Sequence, residues 1–333
     1  MKVYITGVAG FIGSWTARTL LSSGHSVRGC DSLVAGRRDA VPSDVEFDPL
    51  DCSDRERLQT CIAGSECVIH CAALPHEGLS ICSPHTIGHS VYSCSLAVFS
   101  AAIAANARRI VFLSSAARYG DQQPPFIETM ASRPADPYGV AKFAAECSLR
   151  LLAEHHGVEY VLVAPFNVVG AGQAYDDPYR NVLSIFLRRV LSGKPPIVFG
   201  DGRQRRSFSC VRQCALQIAR ATTLPHANRE LFNIGTHLTT WSIVELAELV
   251  AEVCDVDVGP QFAPTRAADV SIVSCSTEKA ERLLGATRPI DLRATIAEMR
   301  DFIQTKGLVE PRYQLPIEIQ SDRVPEVWAK QTV

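Results

Sequence analysis

Tyr138 and Lys142 lie four residues apart in the run Tyr138-Gly139-Val140-Ala141-Lys142. That spacing puts two side chains on one face of a helix, here an ammonium beside a phenol. A free tyrosine, with a pKa of about 10, is a poor base near neutrality. A neighbouring positive charge favours the phenolate and lowers that value. The pair therefore predicts a tuned acid/base group. By itself the spacing is weak, since Tyr and Lys meet at i, i+4 by chance in many helices. Its weight comes from the elements that would position it.

Residues 2–5 form a short β-branched and aromatic run. Thr6-Gly7-Val8-Ala9-Gly10-Phe11-Ile12-Gly13 follows, and then a helical stretch over 14–23. The glycines read G-x-x-G-x-x-G. Without side chains the backbone can turn tightly and approach a pyrophosphate, and the helix N-terminus adds N–H groups and a positive dipole end. The flanking strand and helix favour this over a plain glycine turn. The next strand, over 26–30, ends at Asp31, whose carboxylate can accept from a ribose 2′-hydroxyl and would repel a 2′-phosphate. That predicts NAD rather than NADP, although Arg37 and Arg38 follow in a loop and an arginine can meet a phosphate.

Further strand-like runs recur at 45–47, 67–71, 109–113 and 160–163, with helical stretches at 54–63, 90–105 and 138–156. The alternation predicts an α/β fold with a parallel, doubly wound sheet. The run 96–105 is apolar almost all round, so it packs on the sheet and on something else, a partner subunit being one candidate.

Composition sets the outer limits. The 333 residues suffice for one large or two ordinary domains. With 47% hydrophobic residues and a formal net charge of -2, nothing basic enough for nucleic acid stands out. The longest apolar runs are too short to span a bilayer, and the N-terminus enters a strand with no signal-peptide layout, so the expectation is a soluble cytoplasmic protein. The twelve cysteines form no CxxC pair. They read as small core hydrophobes rather than as metal ligands or disulfides, and no metal is expected.

With these residues in hand, the chain resembles the extended short-chain dehydrogenase/reductase family, in particular its nucleotide-sugar 4-epimerases, from residue 1 to about residue 305. The loop from Gly7 to Gly13, with Gly10, Phe11 and Ile12, resembles the family's TGxxGxxG loop. Asp51-Cys52 resembles its pair beside the adenine, and Cys71-Ala72-Ala73 its backbone strip under the cofactor. Ser114-Ser115-Ala116-Ala117-Arg118-Tyr119-Gly120 resembles its SSxxxYG segment, and Tyr138 with Lys142 its YxxxK pair. The resemblance implies that Ser115, Tyr138 and Lys142 are catalytic. It also implies that Pro165 lies near the nicotinamide and Asn167 against the substrate.

The segment 193–206, with Val198, Phe199 and Arg206, resembles the family's nucleotide-binding segment, and Arg266-Ala-Ala-Asp269 its R-x-G-D motif at the diphosphate and its ribose. Two convergent arginines suit a diphosphate, which offers charge-assisted and often bidentate contacts. Asn181 matches a position facing the diphosphate or base, with Val182 beside it. Asp176 and Asp177 read as loop residues.

Departures narrow the chemistry. Ser207, Arg212 and Gln213 stand where the family often has acids. A lysine found in UDP-galactose 4-epimerases is replaced around Pro75, so His76 either stands in for it or belongs to a solvated loop, His76-Glu77-Gly78. Ala116 and Ala117 occupy positions where the family's dehydratases, decarboxylating enzymes and 3,5-epimerases carry an acid or a cysteine, and alanine moves no protons. The implied reaction is C4 inversion of a nucleoside-diphosphate sugar through a 4-keto intermediate, with NAD retained. A 4-reductase or a heptose 6-epimerase stays open, and a non-catalytic NAD-binding sensor is disfavoured.

In the family, the position of Val273 tends to be a large tyrosine when only plain hexoses fit. Valine predicts room for UDP-GlcNAc/UDP-GalNAc besides UDP-Glc/UDP-Gal. The expected organisation is a NAD-binding part over 1–170 and roughly 206–240, a nucleotide-sugar lobe over 171–205 and 241–306, and a wrapping extension over 307–333 in which Trp328 packs down. The resemblance also implies a homodimer through helices like 90–105 and 138–156.

Overall fold

A computed structural model describes residues 1–235, 239–265 and 270–332. Its strands are β1 (Lys2–Thr6), β2 (Ser26–Asp31), β3 (Glu46–Pro49), β4 (Cys67–His70), β5 (Arg109–Leu113), β6 (Glu159–Pro165), β7 (Val168–Val169), β8 (Ile197–Phe199), β9 (Arg205–Ser207), β10 (Ser209–Cys210), β11 (Leu231–Ile234), β12 (Thr240–Ser242), β13 (Gln261–Ala263) and β14 (Ile272–Val273). Its helices are α1 (Phe11–Ser22), α2 (Arg55–Ile62), α3 (Pro84–Gly88), α4 (Cys94–Ala104), α5 (Pro137–His156), α6 (Val182–Leu191), α7 (Val211–Thr223), α8 (Ile243–Cys254), α9 (Glu278–Leu284), α10 (Leu292–Lys306) and α11 (Glu326–Ala329).

Among the described residues, seven strands form one parallel sheet in the order β11-β6-β5-β4-β1-β2-β3. The winding reverses between β1 and β4, the crevice where such sheets bind ligands at their C-terminal strand ends. β4 and β5 are buried throughout because helices cover both faces. On one face Val3, Ile5 and Val111 share a core with Ala17 and Leu20 of α1 and Ile218 of α7. On the other, Tyr4, Val68 and Phe112 meet Leu58 of α2, Phe99 of α4 and Leu149 of α5. Arg109 is fully buried in β5, where its guanidinium donates to the carbonyls of Ala221, Thr222 and Leu224 at the end of α7 and pairs with Glu159 at 2.7 Å. A cation there satisfies the carbonyls that a helix leaves free.

A second core gathers Leu183 and Phe186 of α6, Leu246 of α8 and Ile296 of α10 around Val198 and Phe208. Shorter sheets join β8 to β13, β10 to β7, and β9 to both β12 and β14. Within the stretch 241–306 assigned to the sugar lobe, α9 packs with the first body, since Ala280 and Leu284 fall in that core. Local sequence could not show this, because the contact is made with α7 and β11, far back along the chain.

The stretch Pro84–Ala104 is helical throughout, passing through a π-turn at His89–Ser93, and is long and apolar enough by length and composition to cross a membrane. In the fold it lies against α2 and α5. Beyond α10 the chain runs back over the molecule, and Trp328 is buried beside Leu79 and Cys82.

Candidate active site

The ends of β1, β4, β5 and β6 open into one cavity that runs from the glycine loop to Phe199 and Arg206. Gly7, Gly10, Phe11, Ile12 and Gly13 line one end, with Cys71, Ala73 and Pro165. Gly7 adopts a φ of +73°, and a Cβ there would stand 2.7 Å from the backbone nitrogen of Ala72. A Cβ on Gly13 would stand 2.1 Å from the Gly7 carbonyl. The loop thus has room for backbone only. Gly10 caps α1 without a side-chain hydrogen bond, so the helix N-terminus meets the cavity with its N–H groups uncovered by a side chain. These residues fit a dinucleotide pyrophosphate.

Asp31, Asp51, Cys52 and Ala72 lie outside the lining of the cavity. Asp31 ends β2 with its carboxylate accepting from the N–H groups of Ala9 (3.1 Å) and Leu33 (2.8 Å). Burial pushes its carboxyl up, against the pull of those bonds. Arg37 is paired with Asp39 at 3.1 Å and Arg38 lies over the Phe47 ring at 4.6 Å, so both arginines have partners of their own. Asp51 turns back on the Ser53 N–H (2.8 Å), and Cys52 points into the core, 3.9 Å from Cys30.

Helix α5 carries Tyr138 and Lys142. Asp136 caps it, accepting from Gly139 N–H at 2.8 Å, and Pro137 fills the first turn. This start fixes Tyr138 at the cavity wall and Lys142 one turn deeper. The Lys142 ammonium donates to the Leu113 carbonyl at 2.7 Å and stands 5.9 Å from the Tyr138 ring centroid. Ser115 follows β5 and accepts from Ala117 N–H at 3.1 Å.

The electrostatics correct the expectation of a lowered phenol. Burial pushes the Tyr138 phenol up, Ser115 pulls it down, Glu77 and Asp136 push it up, and Arg180 pulls it down. Lys142 is itself held down at about 8 by burial, with Cys71 and Glu146 working the other way. Proximity alone was the basis of the expectation. Dehydration of both groups outweighs it.

Behind these groups Glu146 accepts from Ser114 and pairs with Arg118 at 2.9 Å, all three buried. Glu146 lies two turns beyond Tyr138 on the same face of α5. The spacing 138, 142, 146 is the sequence signal that would have marked it.

His76 is neither solvated nor a surface loop residue. It is buried, and its Nε2 lies 2.7 Å from Asp177 Oδ2. Burial works to raise the Asp177 carboxyl, but His76 and Arg180 together hold it below its ordinary range. The contact ties the loop after β4 to the segment before α6. Among the described residues the carboxylates at the cavity wall are Glu77 and Asp136.

At the other end Asn167, with φ +32°, donates to the Ser207 carbonyl at 2.9 Å. Asn181 caps α6 by accepting from Leu183 N–H at 3.1 Å. Asn167, Asn181, Val182, Phe199, Arg206 and Val273 all line the cavity. Val198 does not; it is fully buried in the second core, because alternate residues of β8 face opposite ways. Arg206 donates to the Arg205 carbonyl at 2.9 Å. Arg266 and Asp269 lie outside the described residues.

Comparison with known proteins accords with this geometry. The model of the NAD dependent epimerase/dehydratase family matches residues 3–235. A UDP-glucose 4-epimerase of Halalkalibacterium halodurans is 31% identical over 302 residues, 86% of this chain and 90% of that protein. One from Corynebacterium glutamicum is 29% identical, covering 92% of this chain and 97% of that protein. Among solved structures, the Thermotoga maritima UDP-glucose 4-epimerase with UDP-glucose superposes with a TM-score of 0.85 at 27% identity, covering 92% and 99% of the two chains. The Thermus thermophilus UDP-glucose 4-epimerase complex with NAD gives 0.84 at 28%, covering 91% and 99%.

Proposed function

The chain belongs to the NAD dependent epimerase/dehydratase family, and from that premise we propose that it is a NAD-dependent UDP-sugar 4-epimerase. One observation carries the reading. Ser115, Tyr138 and Lys142 open onto the same cavity as the glycine loop, with Phe199 and Arg206 at its far end. That layout takes a dinucleotide on one side and a second phosphate-bearing ligand on the other.

Gly7 to Gly13, the strip Cys71-Ala72-Ala73 and Pro165 would hold NAD, which when bound supplies the acceptor and later the donor of a hydride. Asp31 would sit against its ribose. The chain's own residues move the proton. Tyr138 takes the proton of the sugar 4-hydroxyl, and Ser115 hydrogen-bonds the same oxygen. Lys142 keeps a positive charge behind the phenol, which works against the rise that burial imposes without cancelling it. After the 4-keto sugar turns over and presents the opposite face of C4 for the returning hydride, Tyr138 gives the proton back to the C4 oxygen. Asn167 lies against the sugar, Asn181 faces the diphosphate or base, and Arg206, with Arg266 and Asp269 of the R-x-x-D run, holds the diphosphate and its ribose.

Ala116 and Ala117 place two methyl groups where dehydration would need proton carriers, which favours simple return of the hydride. Val273 leaves space beside the sugar for an N-acetyl group, so UDP-GlcNAc/UDP-GalNAc join UDP-Glc/UDP-Gal as substrates. Val140 and Leu151 stand 53% and 68% exposed on α5. Together with the apolar stretch through α4 they support a homodimer packed through these helices.

The test is to release and identify the cofactor from purified protein, then follow C4 inversion of UDP-sugars by NMR. Inversion without net NADH formation is expected. Tyr138→Phe should keep the cofactor and lose about 10²- to 10⁴-fold in kcat. Steady consumption of added NAD(P)H would point to a reductase, and full activity in Tyr138→Phe would end the mechanism.

A further inference from the structure

The last stretch of the chain, beyond residue 305 where the resemblance ends, has no role in the reaction just described. Its contacts are nonetheless concentrated on the two segments that frame the sugar side of the cavity. On the first segment, the N–H groups of Glu318 and Ile319 donate to the Cys82 carbonyl at 3.1 and 2.9 Å. Ser83 Oγ donates to the Pro316 carbonyl at 2.5 Å, and the Glu318 carboxylate accepts from the N–H groups of His85 (3.0 Å) and Thr86 (2.8 Å). On the second, Arg312 pairs with Asp176 at 2.5 Å and donates its N–H to the Asp176 carbonyl at 2.7 Å. Arg189, near the end of α6, donates to the Thr332 carbonyl at 3.1 Å.

The segment therefore bridges the loop after β4 and the entry to α6, the same two pieces that His76 and Asp177 join from inside. An apolar cluster fills the seam, with Leu79 and Cys82 from the loop, Tyr179 and Ile185 from the entry and helix, and Val324 and Trp328 from the tail. Trp328 is 4% exposed and meets the Tyr179 ring edge-on at 5.3 Å. Tyr179 in turn lies 6.4 Å from the His76 ring.

More than bracing follows, because Arg323, Pro325 and Trp328 line the cavity that holds Tyr138. Arg323 carries an exposed side chain that makes no hydrogen bond or ion pair to any described residue. An indole and a guanidinium at one wall match a pyranose, which offers an apolar ring face and a rim of oxygen acceptors.

We propose that the C-terminal segment is part of the substrate site, with Trp328 and Arg323 forming the sugar-side wall that holds the nucleotide sugar and keeps the 4-keto intermediate from leaving while it turns over. Trp328 acts through Tyr179 as a positioning residue as well as by its own contact with the sugar. Arg323 donates to sugar oxygens. This rests on the 4-epimerase reading for the intermediate but not for the wall itself.

The test uses the full-length, NAD-loaded protein and three variants: Arg323→Ala, Trp328→Ala and Trp328→Phe. The readouts are the UDP-glucose Kd by calorimetry, KM and kcat for C4 inversion, the melting midpoint, and the fraction of enzyme left with reduced cofactor after turnover, read at 340 nm. Arg323→Ala should raise Kd and KM about fivefold with kcat and melting midpoint nearly unchanged, as loss of a charge-assisted donor would. Trp328→Ala should raise KM about tenfold, as loss of an aromatic contact would, and multiply the stranded, reduced fraction several-fold. Trp328→Phe should recover most of both. A fall in melting midpoint in Trp328→Ala with its KM and stranded fraction unchanged, together with unchanged Kd and KM in Arg323→Ala, would reduce the segment to a brace and overturn the proposal. If the unaltered chain inverts no UDP-sugar, the epimerase reading fails separately, and the UDP-glucose Kd series still decides the wall.

Discussion

Lys142 offers the sharpest prediction. Burial lowers its pKa from the ordinary 10.5 to about 8 in the fold, which corresponds to about 3 kcal/mol of bias against the ammonium. The sign follows from proton linkage. Between about pH 8 and 10.5 the unfolded chain still carries the proton and the folded chain has released it, so stability rises with pH across that window. Against a Lys142→Met reference, which cancels every other titrating group, the unaltered protein should gain about 3 kcal/mol between pH 7.5 and 10.5. Activity should move the other way. Once the ammonium behind the phenol is lost above pH about 8, only Ser115 and Arg180 still oppose the burial that pushes Tyr138 up, so kcat/KM for C4 inversion should fall about tenfold per pH unit. Urea unfolding of both proteins at four pH values, and initial rates of the unaltered enzyme over the same range, provide the two curves. A stability difference independent of pH, or a flat rate profile to pH 10, would refute the assignment of Lys142 as a buried, titrating ammonium.

Other consequences are equally direct. Val273→Tyr should reduce turnover of UDP-GlcNAc relative to UDP-glucose by about tenfold or more, since an overfilled pocket rejects the larger substituent; parallel kcat/KM values measure it. Gly7→Ala forces a Cβ to within 2.7 Å of the Ala72 nitrogen at a φ of +73°, and should cost about 1–3 kcal/mol by chemical denaturation and leave the purified protein without NAD. Glu146→Ala strands the buried Arg118 guanidinium and should cost about 3–5 kcal/mol, a loss that Glu146→Gln recovers only in part.

Much of the fold was legible because its signals are local. Strand runs at 2–5, 109–113 and 160–163 sit within β1, β5 and β6, and the helical stretch at 138–156 differs from α5 by one residue. The glycines at 7 and 13 declared a close approach that the clash distances explain. Less visible were contacts between segments distant in sequence. His76 and Asp177 are 101 residues apart, so the loop reading of both was all that local composition supported. Glu146 was within reach of the helical spacing that singled out Tyr138 and Lys142, yet its partners Ser114 and Arg118 come from the segment that follows β5.

What the chain order determines by itself is which groups share a helix face or end a strand, because 3.6-residue and two-residue periods follow from backbone geometry alone. It was enough to bring a tyrosine and a lysine together and to put a bare glycine loop before a helix. Tertiary structure decided how those groups behave. Water is excluded around Tyr138 and Lys142 by helices and loops from across the chain, and dehydration sets the direction in which both titrate. Only packing could also decide that a proline- and charge-rich tail closes over the sugar side, since Trp328 has its place through side chains more than a hundred residues away.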